Sequence, residues 1–331
     1  MEFDKIIRDL KNKVYYPIYV LTGDEEFFID KISDFIEKNV LDDTEKEFNQ
    51  TILYGLEIDA HTVESEAKRY PMMASYNVVI VKEAQSLKKI EDLAHYAQNP
   101  SPTTILVLNY KHKKIDGRKA FGKSVKSNGV YFQAKKLYDN QLAPWVEQYV
   151  KSKGYEIAPK ATLLLVEFLG AELSKISNEL DKLMVNLPQG STINSKNIEE
   201  NIGVSKDFNA FELNNALGEK DIVKANKIIN YFGQNEKGHP LPLVLPTIYR
   251  FFSQLLLYHS VKTQNNREIA AKLGIHPFFL SQYQTAARNY PVKKIARVIS
   301  SLRKADLKSK GVDANLNNHQ ILKEMVFEIL H

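Results

Sequence analysis

Residues 17–31 read PIYVLTGDEEFFIDK, and this stretch decides the fold. Pro17–Thr22 is a short, nearly all-apolar run, the pattern of a strand buried on both faces. Gly23 breaks the run, and a helical pattern follows from about Asp24 to Asn39. Phe27, Phe28, Ile32, Phe35 and Ile36 trace its apolar stripe, with Lys31 among them. Such a strand-to-helix turn is where a nucleotide-binding fold places its phosphate cradle. A P-loop needs G-x-x-x-x-G-K-[ST], so that glycine amides and a lysine surround the phosphates. Here a single glycine precedes Asp24, Glu25 and Glu26, and Lys31 comes about two turns too late. Carboxylates at a helix start suit the macrodipole and repel an anionic ligand. The first domain is therefore not expected to bind ATP in the P-loop manner.

Outward from this turn, strand-like and helix-like runs alternate. Phe48–Tyr54, Asn77–Val81 (NVVIV), Thr104–Leu108 (TILVL) and Val130–Gln133 are further strand candidates. Helices are expected from Asp59 toward Arg69, over Ser86–Gln98 and over Asp116–Ser127. Strands alternating with helices imply a doubly wound parallel sheet with helices on both faces. After Leu137 the alternation stops. Helices are expected over Gln141–Ser152, Pro159–Leu169, Leu173–Met184, Asn194–Ile202, Phe208–Leu217, Ile222–Phe232, Pro240–Val261, Arg267–Leu273, Pro277–Asn289, Val292–Asp306 and Asn317–Leu330, with a loop over Lys308–Asn315. The fold class is thus α/β followed by all-α.

Composition is that of a soluble protein: 331 residues, 44% apolar and 26% charged. No apolar run approaches the ~18 residues that suggest a membrane span. The first residues, MEFDKIIRDLKNK, lack the apolar core of a secretory signal. Zero cysteines exclude disulfides, thiolate metal sites and a cysteine nucleophile, and fit a reducing cytoplasm. No H-E-x-x-H or G-x-S-x-G motif exists, so neither a metal nor a catalytic residue is nominated. Glu83, after the third strand, is a weak trace of a magnesium-holding acid. The formal charge of +5 is uneven: residues 206–331 carry 18 Lys and Arg against 10 Asp and Glu. That balance fits a polyanion, an acidic partner or a plain solvated surface.

Two basic clusters stand out. Lys111, Lys113, Lys114, Arg118 and Lys119, continuing to Lys123 and Lys126, surround a single acid, Asp116, at the end of the fourth strand. Arg288, Lys293, Lys294, Arg297, Arg303, Lys304, Lys308 and Lys310 form the second. Either can contact phosphates without reading sequence. One apolar feature is also unusual. In Arg69–Tyr76 (RYPMMASY), Pro71 should stop the preceding helix and leave Met72 and Met73 in a short connection. Two adjacent methionines either enter a partner's pocket or fold back beneath the sheet.

Read together, these segments resemble the delta subunit family of bacterial DNA polymerase III. PIYVLTGDEEFF (17–28), YPMMASYNVVIV (70–81), IDGRK (115–119), LGAELSKISNELDKL (169–183), FNAFELNNAL (208–217), LGIHPF (273–278) and LRKADLKSK (302–310) carry the resemblance in order and spacing. It implies an AAA+-like (RecA-like) domain over residues 1–140, without a P-loop and binding the clamp. It further implies a helical lid over 141–205 and a helical collar over 206–331 that assembles a five-subunit ring. It implies a component of the replicative clamp loader that binds the beta sliding clamp and opens its dimer interface for loading onto primed DNA. That component would have no ATP hydrolysis and no cofactor of its own, within a holoenzyme that is a nucleotidyltransferase. Expected partners are the clamp, the gamma/tau ATPase subunits, delta-prime and primer–template DNA, in the cytoplasm and away from any membrane. The resemblance places the clamp contact at Met72 and Met73, flanked by Tyr70, Pro71, Ala74 and Ser75. The family often carries a Leu–Phe pair where this chain has Met–Met. Lys111, Lys113, Lys114, Arg118 and Lys119 are the expected DNA contacts. The rival expectations are a general DNA-binding scaffold and a P-loop ATPase.

Overall fold

The computed structural model describes residues 2–203, 205, 207–312 and 316–331. The chain forms two compact units, Met1–Tyr138 and Asp139–His331.

The first unit holds α1 (Phe3–Lys11), β1 (Ile18–Gly23), α2 (Glu26–Asn39), α3 (Asp43–Asn49), β2 (Gln50–Tyr54), α4 (Ala60–Ala67), β3 (Asn77–Lys82), α5 (Ala94–Gln98), β4 (Thr104–Lys111), α6 (Ala120–Asn128) and β5 (Val130–Ala134). The strands form one parallel sheet in the order β2-β3-β4-β1-β5. Every residue of β1 is buried, and β3 and β4 are buried nearly throughout. This is why their sequences read as continuous apolar runs. Alternate residues divide between two cores. Ile18, Val20, Val79, Val81, Leu106 and Leu108 meet Val63, Phe121 and Val125 on one face. Tyr19, Leu21, Val78, Ile80, Ile105 and Val107 meet Ile6, Leu10, Ile29, Ile32 and Ile36 on the other. The strand period of two sets this partition.

Several boundaries differ from expectation. Residues 86–98 form no single helix: they make a 3-10 turn at Ile90–Leu93 and then α5, after another such turn at Ala84–Ser86. Glu83 and Lys89 sit in the left-handed region, and a bridge between Asp59 and Lys88 draws the backbone aside. The expected helix over Asp116–Ser127 begins only at Ala120, because the Asp116 carboxylate accepts the Arg118 N–H and holds a turn there. Phe48 belongs to α3 rather than to β2. That helix is opened by a capping box between Asp42 and Glu45. The amphipathic α1 was not expected either, although Phe3, Ile6, Ile7 and Leu10 follow its period.

The second unit holds α7 (Asp139–Ser152), β6 (Glu156–Ile157), α8 (Pro159–Leu169), α9 (Leu173–Val185), β7 (Thr192–Ile193), α10 (Ser195–Ile202), α11 (Ala210–Glu219), α12 (Ile222–Gln234), α13 (Leu241–Val261), α14 (Asn266–Leu273), α15 (Leu280–Asn289), α16 (Val292–Ser309) and α17 (Asn318–Leu330). A 3-10 turn at Pro277–Phe279 precedes α15. The paired β6 and β7 were not expected, being only two residues each. The unit contains two hydrophobic cores, one within residues 146–198 and one within 213–330. The expected boundary at residue 206 and part of the Lys308–Asn315 loop lie outside the described residues. The loop's first two residues in fact complete α16. By length and composition α13 would suffice to cross a membrane. Leu241, Val244, Leu245, Ile248, Phe252 and Leu255 place one of its faces in the larger core, and that burial accounts for its apolar character.

Candidate functional site

The turn after β1 is closed on itself. Gly23 adopts φ +121°, and a Cβ there would collide with the Ala134 carbonyl, so only glycine fits. The crevice between β1 and β4, where the strand order reverses, is the place where such sheets usually bind ligands. Here the chain just after β4 crosses it. The Gly23 N–H donates to Lys113 O (3.2 Å), the His112 N–H to Gly23 O (2.9 Å), and Thr22 Oγ1 to Lys113 O (2.7 Å).

The start of α2 is covered by its own carboxylates. Glu25 caps it by accepting the Phe27 N–H at 3.4 Å. Lys111 Nζ lies 2.8 Å from Asp30 and 3.3 Å from Glu26, and His112 lies 3.2 Å from Glu26. Burial pushes the Asp30 and Glu25 carboxyls above the usual range. Burial acts to lower Lys111, but Asp30 and Glu26 outweigh it and hold the ammonium above its ordinary value. Lys31 lies 5.3 Å from the Phe27 ring. The dipole-favoured anion position is therefore occupied by side chains of the protein itself.

The five expected DNA contacts share this segment but differ in access. Lys111 is turned inward, with only 14% of its side chain exposed. Lys114 reaches Asp24 at 3.9 Å, Lys119 reaches Glu91 at 3.5 Å, and Arg118 grips Asp116 through two nitrogens at 3.0 and 3.1 Å. Hydrogen bonds from Arg118 hold Asp116 at about 2. Lys113 is exposed. Surface pairs of this kind are weak and open readily, so access separates Lys111 from the other four.

The Met72–Met73 connection faces outward. Met72 is 57% exposed, Met73 102% and Tyr70 87%. The loop does not fold beneath the sheet. Only Ala74 and Tyr76 pack on the core, Tyr76 edge-on to Tyr15 with ring centroids 5.3 Å apart. Pro71 is partly buried and Ser75 exposed. Asn49, buried at the end of α3, holds the exposed pair in place. Its Oδ1 accepts the Met72 N–H at 2.6 Å, and its Nδ2 donates to Met72 O and Glu45 O, each at 3.0 Å. Met73 sits at φ +55°, a left-handed conformation that costs an ordinary residue roughly 1–2 kcal/mol. The exposed Phe48 precedes Asn49 in the chain. Asn49 and Phe48 carry no signal in the sequence, because 23 residues separate Asn49 from Met72 and a tertiary hydrogen bond leaves no periodic trace.

The second unit has a polar joint. Glu212, at the start of α11, is buried between Lys160 of α8 (2.6 Å) and Lys224 of α12 (2.5 Å). Burial would raise its carboxyl, and the two lysines more than reverse this, leaving it below the usual range. Glu167 of α8 faces the amides of Ala210 and Phe211, and burial lifts it to about 7. A cavity of about 600 Å³ lies beside this joint, lined in part by Glu167, Phe211, Asn215, Gln254 and Tyr283. Among the described residues no group of three His, Cys, Asp or Glu side chains is placed to hold a metal ion.

Comparison with known proteins points to one family. The family model for the delta subunit of DNA polymerase III matches residues 19–135, and the model for the C-terminal domain of that delta subunit matches residues 207–330. Together they cover more than half of the chain. The DNA polymerase III subunit delta of Bacillus subtilis (strain 168) is 26% identical over 321 residues, covering 94% of this chain and 92% of the relative. A probable DNA polymerase III subunit delta of Aquifex aeolicus (strain VF5) is 25% identical over 310 residues, covering 88% and 86%. The solved structure of the Bacillus subtilis DNA clamp loader delta protein shares the fold, with a TM-score of 0.54, 22% identity and 99% of each chain covered. The chain belongs to the DNA polymerase III delta subunit family.

Proposed function

We propose that this chain binds the beta sliding clamp through Met72 and Met73 and holds the clamp's dimer interface open for loading onto primed DNA. The observation that carries the proposal is the pinned loop: two exposed methionines presented by the buried Asn49. Methionine adapts to irregular apolar pockets, and a preordered loop loses little entropy on docking. Opening a clamp requires no covalent step. A ligand that prefers the open ring shifts its population. The chain supplies this contact without catalysis, and the filled turn at Gly23–Asp30 supports the reading that ATP acts through other subunits. In this scheme gamma/tau and delta-prime complete a five-subunit ring in the cytoplasm, with residues 141–205 as a lid and 206–331 as a collar. Lys113, Lys114, Arg118 and Lys119 are its candidate contacts to primer–template DNA.

Burying one methionine side chain contributes about 1.5–3 kcal/mol. Met72→Ala with Met73→Ala should therefore weaken clamp binding by at least about 100-fold, at about 1.4 kcal/mol per tenfold. Both side chains are exposed, so the melting temperature should not change. A titration of the clamp with parent and double variant decides the matter. Undiminished binding by the double variant would remove the site assignment. Salt-dependent DNA binding without clamp affinity would favour the DNA-scaffold alternative.

A further inference from the structure

The second basic cluster has a geometry that clamp contact does not use. Tyr290, between α15 and α16, is fully buried and fixed at three points. Its hydroxyl donates to Leu217 O (2.7 Å), its N–H to Ala286 O (2.9 Å), and its carbonyl lies 2.9 Å from His259 Nε2. Two ammonium groups converge on its ring. Lys220 Nζ, from the end of α11, is 5.5 Å from the centroid, and Lys294 Nζ, from the first turn of α16, is 5.3 Å away. Arg297 follows Lys294 by three residues on α16, hence on the same face. Among the described residues none of these three cations lies within ion-pair distance of a carboxylate. Glu219 and Asp221 flank Lys220 in sequence, but Asp221 is engaged in capping α12 through the Lys224 N–H.

The grouping is electrostatically unfavourable as it stands. Partial burial, and then Lys220 and Arg297, hold the Lys294 ammonium below the ordinary lysine range. The first turn of α16 has no acid and no side-chain cap, so the helix dipole adds positive potential where Lys293 and Lys294 already stand. Farther along α16, by contrast, Lys308 is paired with Glu324 and Lys310 with Asp306. Like charges collected on a rigid ring with no acid among them suit recognition of an anion. Two point-charge ammoniums beside a guanidinium suit a tetrahedral oxyanion with several acceptor oxygens better than a single carboxylate.

We propose that Lys220, Lys294 and Arg297 form a phosphate-binding site at the junction of α11 and α16, taking either free (pyro)phosphate or the phosphates of a nucleic-acid backbone. The site does not depend on the clamp reading. The full-length chain carrying Lys220→Gln, Lys294→Gln and Arg297→Gln is compared with the parent in two titrations. Pyrophosphate, against chloride at equal ionic strength, should raise the melting temperature of the parent and not that of the variant. For a labelled single-stranded oligonucleotide, losing three phosphate contacts should weaken binding and flatten the log K against log salt slope by about 2. An effect with the oligonucleotide assigns the site to a nucleic-acid backbone, and an effect with pyrophosphate alone assigns it to the free anion. Lys220→Arg with Lys294→Arg should retain whichever binding is seen. If the triple variant does not fold, Lys294→Gln alone is read by the same two titrations. Identical behaviour of parent and variants with both ligands overturns the proposal. So does binding of polyglutamate as tight as that of pyrophosphate, which would mark an acidic-protein surface instead.

Discussion

Replacing Asn49 by alanine separates the shape of the Met72–Met73 loop from its side chains. The substitution leaves both methionines in place and removes the two hydrogen bonds that fix the Met72 backbone, at 2.6 and 3.0 Å. Each bond contributes about 1 kcal/mol net, so the loop loses about 2 kcal/mol of restraint. Met73, at φ +55°, then has reason to relax, because the left-handed region disfavours it by roughly 1–2 kcal/mol. A docking-competent population reduced by 1–2 kcal/mol weakens apparent affinity by about 5- to 30-fold. The same bonds support the first unit, whose melting temperature should fall by a few degrees. The assay is a clamp titration of Asn49→Ala beside the parent, with melting followed by circular dichroism. Clamp affinity within twofold of the parent, together with a lowered melting temperature, would refute preorganisation by Asn49. Unchanged melting would refute the assigned strength of the hydrogen bonds.

Three further outcomes are expected. Glu167, lifted by burial to about 7, binds a proton in the folded chain that the unfolded chain releases near 4.5. Its folded-state pKa is raised, so its contribution to stability is present below about 4.5 and lost as pH rises through about 7. Glu167→Gln should flatten that dependence and add about 1–3 kcal/mol at pH 8, read by denaturant unfolding across pH. Gly23→Ala should lower stability by several kcal/mol or abolish folding, because the new Cβ meets the Ala134 carbonyl at a positive φ; circular dichroism melting checks this. Lys111→Met should destabilise the first unit by about 1–2 kcal/mol, leaving Glu26 and Asp30 crowded without their cation, and should not create ATP affinity in a nucleotide titration.

The sequence by itself determined the parallel sheet. Pro17–Gly23, NVVIV and TILVL are nearly all-apolar because β1, β3 and β4 are buried on both faces, and burial of that kind leaves a local trace. The missing P-loop was legible for the same reason: a phosphate cradle is a contiguous motif, and Asp24, Glu25 and Glu26 stand where it would be. The helices of the second half were legible from their 3.6-residue period, often to within a residue or two. Only the tertiary structure decided which charges are accessible. Lys111 and Lys113 look alike in sequence, yet one is turned into an acidic helix start and the other is exposed. It also decided the fate of Met72 and Met73. An apolar pair after a proline can fold under or stand out, and the choice rests on Asn49, a buried side chain 23 residues earlier whose amide bonds that backbone through both its oxygen and its nitrogen. Such long-range hydrogen bonds have no period and no fixed spacing, so they appear only when the chain is folded.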